Sequence, residues 1–394
     1  MALKSISAII GDLAKVQPDW PAISHEAMSI TRLELHRSTN RLARAYEALG
    51  VQEGDLVTIA LPNSIEFYQA CIATWKLGAT PQPISAKLPS VEQIAIVNLA
   101  KPALLVGTGT DLTLGVKTLP ANFIPDPTLT DADLTDKVSR FWKAPTSGGS
   151  TGRPKIIVSE LPGHFDFSQD KPLQQEFDRA QLVPGPLYHN GPFSFSMNGL
   201  FLGNHIVVMT RFDAEQTLAL IEAHQIDWMM MVPTMMSRIW KLPDQIRLKY
   251  DLSSLRVMLH LAAPCPPWLK EKWIEWLGGH RGYELFGGTE GTGATWITGD
   301  EWLAHRGSVG KLLGGAQVKV VDDQGETLPD GEIGEIYLLP PGGQGSTDHY
   351  IGAESSGLDG GWESLGDMGY VDSEGYIFLS DRKTDMILAG GANI

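Results

Sequence analysis

The sequence is poor in cysteine, in positive charge and in long apolar runs. Only Cys71 and Cys265 occur, far apart, which rules out a disulfide framework and makes a reducing cytoplasm the natural compartment. Lys and Arg number 31 against 46 Asp and Glu, a net charge of −15. That deficit argues against nucleic acid or an anionic membrane surface as the main partner. No run of about 18 apolar residues is present, so no segment reads as a membrane span. The first twenty residues place Asp12 and Lys15 within a short apolar stretch and read as an amphipathic helix, not a signal peptide. Internal repeats and low-complexity tracts are absent too. What remains is an ordinary soluble composition, 43% hydrophobic and 20% charged, over 394 residues. That length exceeds what one core usually supports, and two or more subdomains are expected.

Helical and strand patterns alternate from Ile30 to about Ala86. Thr31 is placed to cap a helix running to Leu49, with Glu34 as its capping-box partner. Leu56–Ala60 reads as a strand, Asn63-Ser64 caps a second helix ending near Gly78, and Leu104–Gly107 is a further strand. The alternation predicts a doubly wound α/β sheet. It restarts with strands at His205–Met209, Trp228–Val232, Leu255–Leu259 and Gly282–Phe286, and helices at Ala214–His224 and Pro267–Leu277. From Gly307 onward, short strands with close turns (Ala316–Val321, Gly334–Leu339, Tyr376–Ser380) predict a small antiparallel barrel. The Gly-, Pro- and Ser-rich stretch Pro340–Gly361 reads as a surface loop. The division expected is 1–180, 181–306 and 307–380, with a hinge at 381–394.

Against the acidic background one segment stands out: Thr146-Ser147-Gly148-Gly149-Ser150-Thr151-Gly152-Arg153-Pro154-Lys155. Its glycines let backbone N–H groups approach a ligand, its hydroxyls donate, and two cations supply charge, a chemistry suited to polyphosphate. It is not a Walker A loop, because Arg153-Pro154-Lys155 follows Gly152 and Pro154 would interrupt the required helix. A solvated Gly/Ser linker is the bland alternative. Gly287-Gly288-Thr289-Glu290 follows a strand and could hold Mg²⁺ on a phosphate, although a Glu in a Gly-rich turn is usually just solvated. In Gly366-Asp367, the carboxylate could accept from a ribose diol, with Arg382 reinforcing it; separately, these read as a turn Asp and a surface Arg.

Taken in this order, the segments resemble the adenylate-forming superfamily of acyl-CoA synthetases, peptide-synthetase adenylation domains and luciferases. Thr146–Lys155 matches its Ser/Thr/Gly-rich signature ending in Pro-Lys, and Phe286–Glu290 its aromatic-Gly-x-Thr-Glu motif. Gly366-Asp367 with Gly369-Tyr370 matches its Gly-Asp motif, and Asp381-Arg382-Lys383 with Gly390-Gly391 its hinge. Ala262-Ala263-Pro264, Tyr188-His189-Asn190 and Gly307–Gly310 agree more loosely. The resemblance implies a large N-terminal adenylation domain of two doubly wound α/β subdomains plus the barrel. It also implies acid activation to acyl-AMP, then thioester formation with CoA. Thr146, Ser147, Gly148, Gly149, Ser150, Thr151, Gly152 and Lys155 would hold the ATP phosphates. Thr289 would touch the α-phosphate and Glu290 bind Mg²⁺. Ala262, Ala263, Pro264, Tyr283, Glu284, Phe286, Gly287 and Gly288 would flank the adenine and phosphates, and Asp367 with Arg382 would grip the ribose. His189 would border the acid, its alternative being a satisfied histidine at a strand–helix junction.

Gly148 and Ile156 depart from the family pattern, which usually has Ser and Gly there. The Gly-Gly-Ser-Thr form is most similar to a branch with bile-acid, steroid side-chain and coronafacate-type ligases and amide-forming enzymes, which implies a bulky or cyclic acid. Family members continue past the hinge into a small C-terminal domain with an adenylation lysine, absent here, so slow adenylation is expected of this chain. An amide synthetase or carrier-protein ligase shares the first half-reaction. A non-catalytic nucleotide-binding module is the alternative of a different class. A homodimer is compatible with all of these.

Overall fold

Local capping chemistry starts three of the expected helices where the sequence places them. In a computed structural model the described residues are 3–107, 115–147, 154–167, 172–353, 357–382, 388–389 and 392–393. The Thr31 hydroxyl accepts from the Glu34 N–H at 3.2 Å, and the Glu34 carboxylate accepts from the Thr31 N–H at 2.8 Å. This reciprocal pair opens the helix Arg32–Ala48. Ser64 caps Ile65–Lys76, and the Asp213 carboxylate caps Ala214–His224. The Ile65 helix has no polar face to speak of. Phe67, Tyr68, Cys71 and Trp75 are all buried, because this helix is covered by other elements on every side. Both cysteines are free, and burial pushes their thiols up, Cys265 to about 12, which leaves them inert packing.

Two parallel sheets follow from the alternation. The first orders Thr80–Pro83, Leu56–Ile59, Leu104–Val106 and Lys117–Leu119, all parallel. The second runs Pro21–His25, His205–Val208, Ala180–Val183, Trp228–Met231, Val257–His260 and Gly282–Glu284 in parallel. Its strands are apolar on both faces, with Ile206, Val207, Met229 and Leu259 all buried, as expected for a sheet sandwiched between helices. The chain crosses between units early: the hairpin Pro21–His25 and Met28–Thr31 joins the second sheet although it precedes the first.

The strands after residue 295 form no closed barrel among the described residues. Thr295–Thr298 pairs antiparallel with Gly282–Glu284 and extends the second sheet. The path then continues through Ser308–Leu312, Ile377–Arg382, Trp362–Val371 and Gly334–Leu339 to Gln317–Val321. Closure would need Ser308–Leu312 to pair with Gln317–Val321. Its second edge is instead taken by Thr295–Thr298, so the arm stays open, around Val309, Val320, Ile336, Leu338 and Ile377. The expected surface loop Pro340–Gly361 also proves partly ordered as strand. Asp348–Ile351 pairs antiparallel with Lys155–Ser159, and Gly357–Leu358 pairs with Trp362–Val371.

At the junction Gly310 has φ +98°, and a Cβ there would lie 2.2 Å from the Trp296 carbonyl oxygen. Gly310→Ala therefore combines a left-handed strain with a backbone clash, and is expected to lower stability by about 2–4 kcal/mol. A urea titration followed by tryptophan fluorescence checks it, and a midpoint within error of wild type would contradict the geometry.

Candidate active site

At the two ends of the segment expected to bind phosphate, the β-forming residues pair. Thr146-Ser147 pairs with Lys155–Ser159, Ser147 opposite Lys155, and Ile156 and Val158 anchor the second strand in a small core. Gly148, Gly149, Ser150, Thr151, Gly152 and Arg153, and the Ser147 side chain, lie outside the described residues. Gln82 on the first sheet donates to the Thr146 hydroxyl at 3.5 Å and accepts from Thr58, so the start of the hairpin is tied to the first sheet.

Three separated segments meet at the carboxylate of Glu290. Lys155 Nζ lies 3.5 Å from Glu290 Oε1, and the Tyr350 hydroxyl donates to the same oxygen at 2.6 Å. Lys155 Nζ also sits 4.3 Å from the centre of the Tyr350 ring, a cation–π contact. Burial, reinforced by Glu290, raises the Tyr350 phenol, so it remains a donor at any physiological pH. The Glu290 side chain is only 12% exposed, which makes its charge count for more than on an open turn. Burial likewise pushes Asp348 up to about 6, with Glu290 and Glu363 adding repulsion.

Gly288 lets the turn pack close: a Cβ there would lie 2.7 Å from Glu290 Oε2 and 2.9 Å from Leu365, and would push on both side chains. Leu365 precedes Gly366-Asp367, so the Gly-x-Thr-Glu turn and the Gly-Asp strand touch. Asp367 is 5% exposed and stands opposite Arg382 in the register of their two strands; the Arg382 side chain lies outside the described residues. Thr289 is half-buried beside Glu290, and Gly287 bridges Ala294.

The residues expected around adenine divide into two groups. Ala262, Ala263 and Pro264 follow the C-terminal end of Val257–His260, with Ala262 in a left-handed conformation at φ +73° and exposed. Tyr283, half-buried, packs on Trp296 at 4.8 Å between ring centres. Glu284 turns instead to the protein interior, where Lys270 bonds its carboxylate and His260 Nδ1 lies 4.0 Å away. Burial drives His260 down to about 4 and lowers Lys270 despite this carboxylate. Phe286 packs against the open antiparallel arm.

His189 is the N-cap of the helix Asn190–Phe201, without a side-chain capping bond, its ring 4.3 Å from that of Tyr188. Burial lowers its pKa, so it is a neutral imidazole at neutral pH. Behind it Gly191 faces Met230 Sδ and Leu261, each about van der Waals distance from where a Cβ would stand. These residues sit at the C-terminal ends of parallel strands, where α/β sheets bind ligands. Tyr350, Gln82 and Gly191 were not legible as site residues. Tyr350 lies within a Gly-rich stretch whose only strand signal is the short run His349-Tyr350-Ile351.

A sequence model of the family described as AMP-binding enzyme matches residues 12–344. The 2-succinylbenzoate–CoA ligase of Bacillus cereus is 27% identical over 391 residues, covering 97% of this chain and 79% of that protein. The o-succinylbenzoate CoA synthetase of Bacillus subtilis, solved with its acyl-adenylate intermediate, superposes with a TM-score of 0.81 at 23% identity. That match covers 96% of this chain and 100% of the other. The same enzyme with ATP and magnesium gives 0.80 at 24% identity, covering 100% and 82%. The amide bond synthetase McbA from Marinactinospora thermotolerans gives 0.81 at 21% identity, covering 99% and 82%.

Proposed function

Because the chain belongs to the AMP-binding enzyme family, we propose that it activates a carboxylic acid with ATP and passes the acyl group to CoA. The observation that carries this reading is the convergence of Lys155, Glu290 and the Gly366-Asp367 strand from three distant parts of the sequence. In the first half-reaction an acid oxygen attacks the α-phosphorus. The bond from that phosphorus to the bridging oxygen breaks, and pyrophosphate leaves. In the second, the CoA thiol loses its proton, its sulfur bonds to the acyl carbon, and AMP departs.

The acid is already ionised at neutral pH and needs no general base. Neutral His189 accordingly borders the acid and does not deprotonate it. Lys155, with the backbone of the Thr146–Gly152 segment, would neutralise charge on the phosphates, where electrostatic stabilisation dominates phosphoryl chemistry. Thr289 would donate to the α-phosphate. Glu290 would hold Mg²⁺, which supplies charge to the phosphate oxygens. Its fit rests on a nearly buried carboxylate whose Oε2 a side chain at position 288 would crowd. Asp367 and Arg382 would take the ribose, and Ala262-Ala263-Pro264 with Tyr283 the adenine.

A bulky or cyclic acid is the substrate class we favour. The cited Bacillus cereus relative is named for such an acid, and around the turn that follows His189 Gly191 faces Met230 and Gly185 faces Pro192 and Met235, small or adaptable side chains. The proposed division is 1–180, 181–306, 307–380 and a hinge at 381–394; the proposed setting is the cytoplasm, as a homodimer. No helix among the described residues is long and apolar enough to cross a membrane.

Acid-dependent ATP–pyrophosphate exchange across a panel of aromatic, fatty and steroidal acids tests the proposal, with CoA thioester formation read in parallel. Nucleotide binding with no exchange on any acid would favour a binding module instead. Tyr350→Phe removes the donor that orients Glu290 and is expected to raise the Mg²⁺ concentration for half-maximal exchange about 10-fold, in the range typical of outer-shell partners. An unchanged Mg²⁺ dependence would remove Tyr350 from the site.

A further inference from the structure

Lys143 sits three residues before the phosphate hairpin and is buried, 8% exposed. Its ammonium reaches the first turns of the helix Asn190–Phe201. There it bonds the Asn190 side-chain oxygen and, at 2.7 Å, the Ser194 hydroxyl. Ser194 in turn donates to Asn190 at 3.1 Å, closing the triangle. The Trp142 ring lies beneath the amine at 4.5 Å. Among the described residues no carboxylate pairs with it.

As a piece of scaffolding this arrangement is poor. A buried cation without a counter-charge is disfavoured, and the positive end of a helix dipole disfavours it further. Burial alone pushes the amine down to about 7. Its hydrogen-bond and ring partners are Asn190, Ser194 and Trp142, none of which titrates near neutrality, and the helix of Asn190 and Ser194 carries its nearest titratable residue at the N-cap, His189. A methionine would fill the same space without the penalty. Costly polar groups of this kind concentrate where function requires them.

Its position supplies such a requirement. The turn that Lys143 grips carries His189 and Gly191, the latter set against Met230 and Leu261 at the strand ends. The strand-like segment bearing Lys143 continues into Thr146 and the phosphate hairpin, and the Lys143 carbonyl accepts from the Ser159 N–H at 3.1 Å. The side chain therefore joins the segment that enters the phosphate loop to the wall of the acid pocket. Resting on the acid-activation reading, we propose that Lys143 is a positioning residue that sets the Asn190 turn and, through it, the acid pocket.

Lys143→Met, Asn190→Ala and the double variant test this by exchange kinetics. The expected result is an acid KM raised about 10-fold in each single variant, with the ATP KM and kcat within twofold. The double variant should be no worse than either single one, since all three remove one link. The melting temperature of Lys143→Met should not fall. Its stability should also lose the rise that wild type gains as pH increases from about 7 toward the unfolded lysine value. An unchanged acid KM, an equal rise in the ATP KM, or additive single effects would each overturn the proposal.

Hydrogen–deuterium exchange gives a readout that needs no substrate: amides of the Asn190–Ser194 turn should exchange faster in Lys143→Met, while Lys155–Ser159 stays protected. Equal protection of the turn would overturn the positioning role even if wild type activated no acid. Absence of exchange kinetics in wild type with a loosened turn in the variant would instead count against the acid-activation reading alone.

Discussion

Replacing Glu290 by Gln is expected to cut acid-dependent ATP–pyrophosphate exchange about 10²–10³-fold at saturating Mg²⁺, the range for losing one preorganised electrostatic group. Glutamine keeps the volume and an oxygen that can accept from Tyr350, whose bond to Glu290 is 2.6 Å. What it loses is the charge that would hold the metal and that now lies 3.5 Å from Lys155. The fold should survive: Lys155 is about a third exposed, and pairs of this kind contribute on the order of 1 kcal/mol or less. Circular dichroism and a thermal melt should therefore match wild type while exchange collapses. Raising Mg²⁺ should recover little, because the ligand itself is gone; in Tyr350→Phe, excess Mg²⁺ should recover most of the activity. Exchange within threefold of wild type in Glu290→Gln would mean that the carboxylate serves only to hold Lys155 in place.

Elements set by their own termini were legible in the sequence. Thr31 and Glu34 fixed one helix, Ser64 another, and Ala214–His224 and Pro267–Leu277 fall where the apolar spacing puts them. Elements decided by distant partners were not. Pro21–His25 becomes a strand because His205–Val208 offers it an edge, and Asp348–Ile351 because Lys155–Ser159 does. The barrel was expected from close turns, which fix hairpins but not closure. Closure depended on which neighbour took the second edge of Ser308–Leu312, and that was Thr295–Thr298. The site shows the same limit. Lys155 stood out as a cation in a Gly-, Ser- and Thr-rich segment of an acidic chain, and Glu290 through its match to the aromatic-Gly-x-Thr-Glu motif. Tyr350 and Lys143 act through partners about 60 and 50 residues away in sequence, and nothing local marks them.

Asp367→Ala is expected to weaken ATP binding by about 1.5–3 kcal/mol, or about 10–150-fold in Kd, the loss for hydrogen bonds to a charged acceptor. The carboxylate is 5% exposed on a strand paired on both sides, with Gly334–Leu339 and with Ile377–Arg382, so its direction is held by the sheet and not by the ligand. A rigid, desolvated acceptor of this kind discriminates strongly between a substrate that carries the donor and one that lacks it. Wild type should therefore bind 2′-deoxy- and 3′-deoxy-ATP more weakly than ATP, and in Asp367→Ala the three affinities should converge, with only what Arg382 contributes remaining. That convergence separates a ribose contact from a general loosening of the strand, which would weaken every nucleotide by the same factor and leave the discrimination intact. Isothermal titration without Mg²⁺ or acid isolates the term, since neither Glu290 chemistry nor the acid pocket then contributes. Unchanged ATP affinity in Asp367→Ala, or preserved discrimination among the three nucleotides, would remove Asp367 from the ribose and leave it as a buried strand residue.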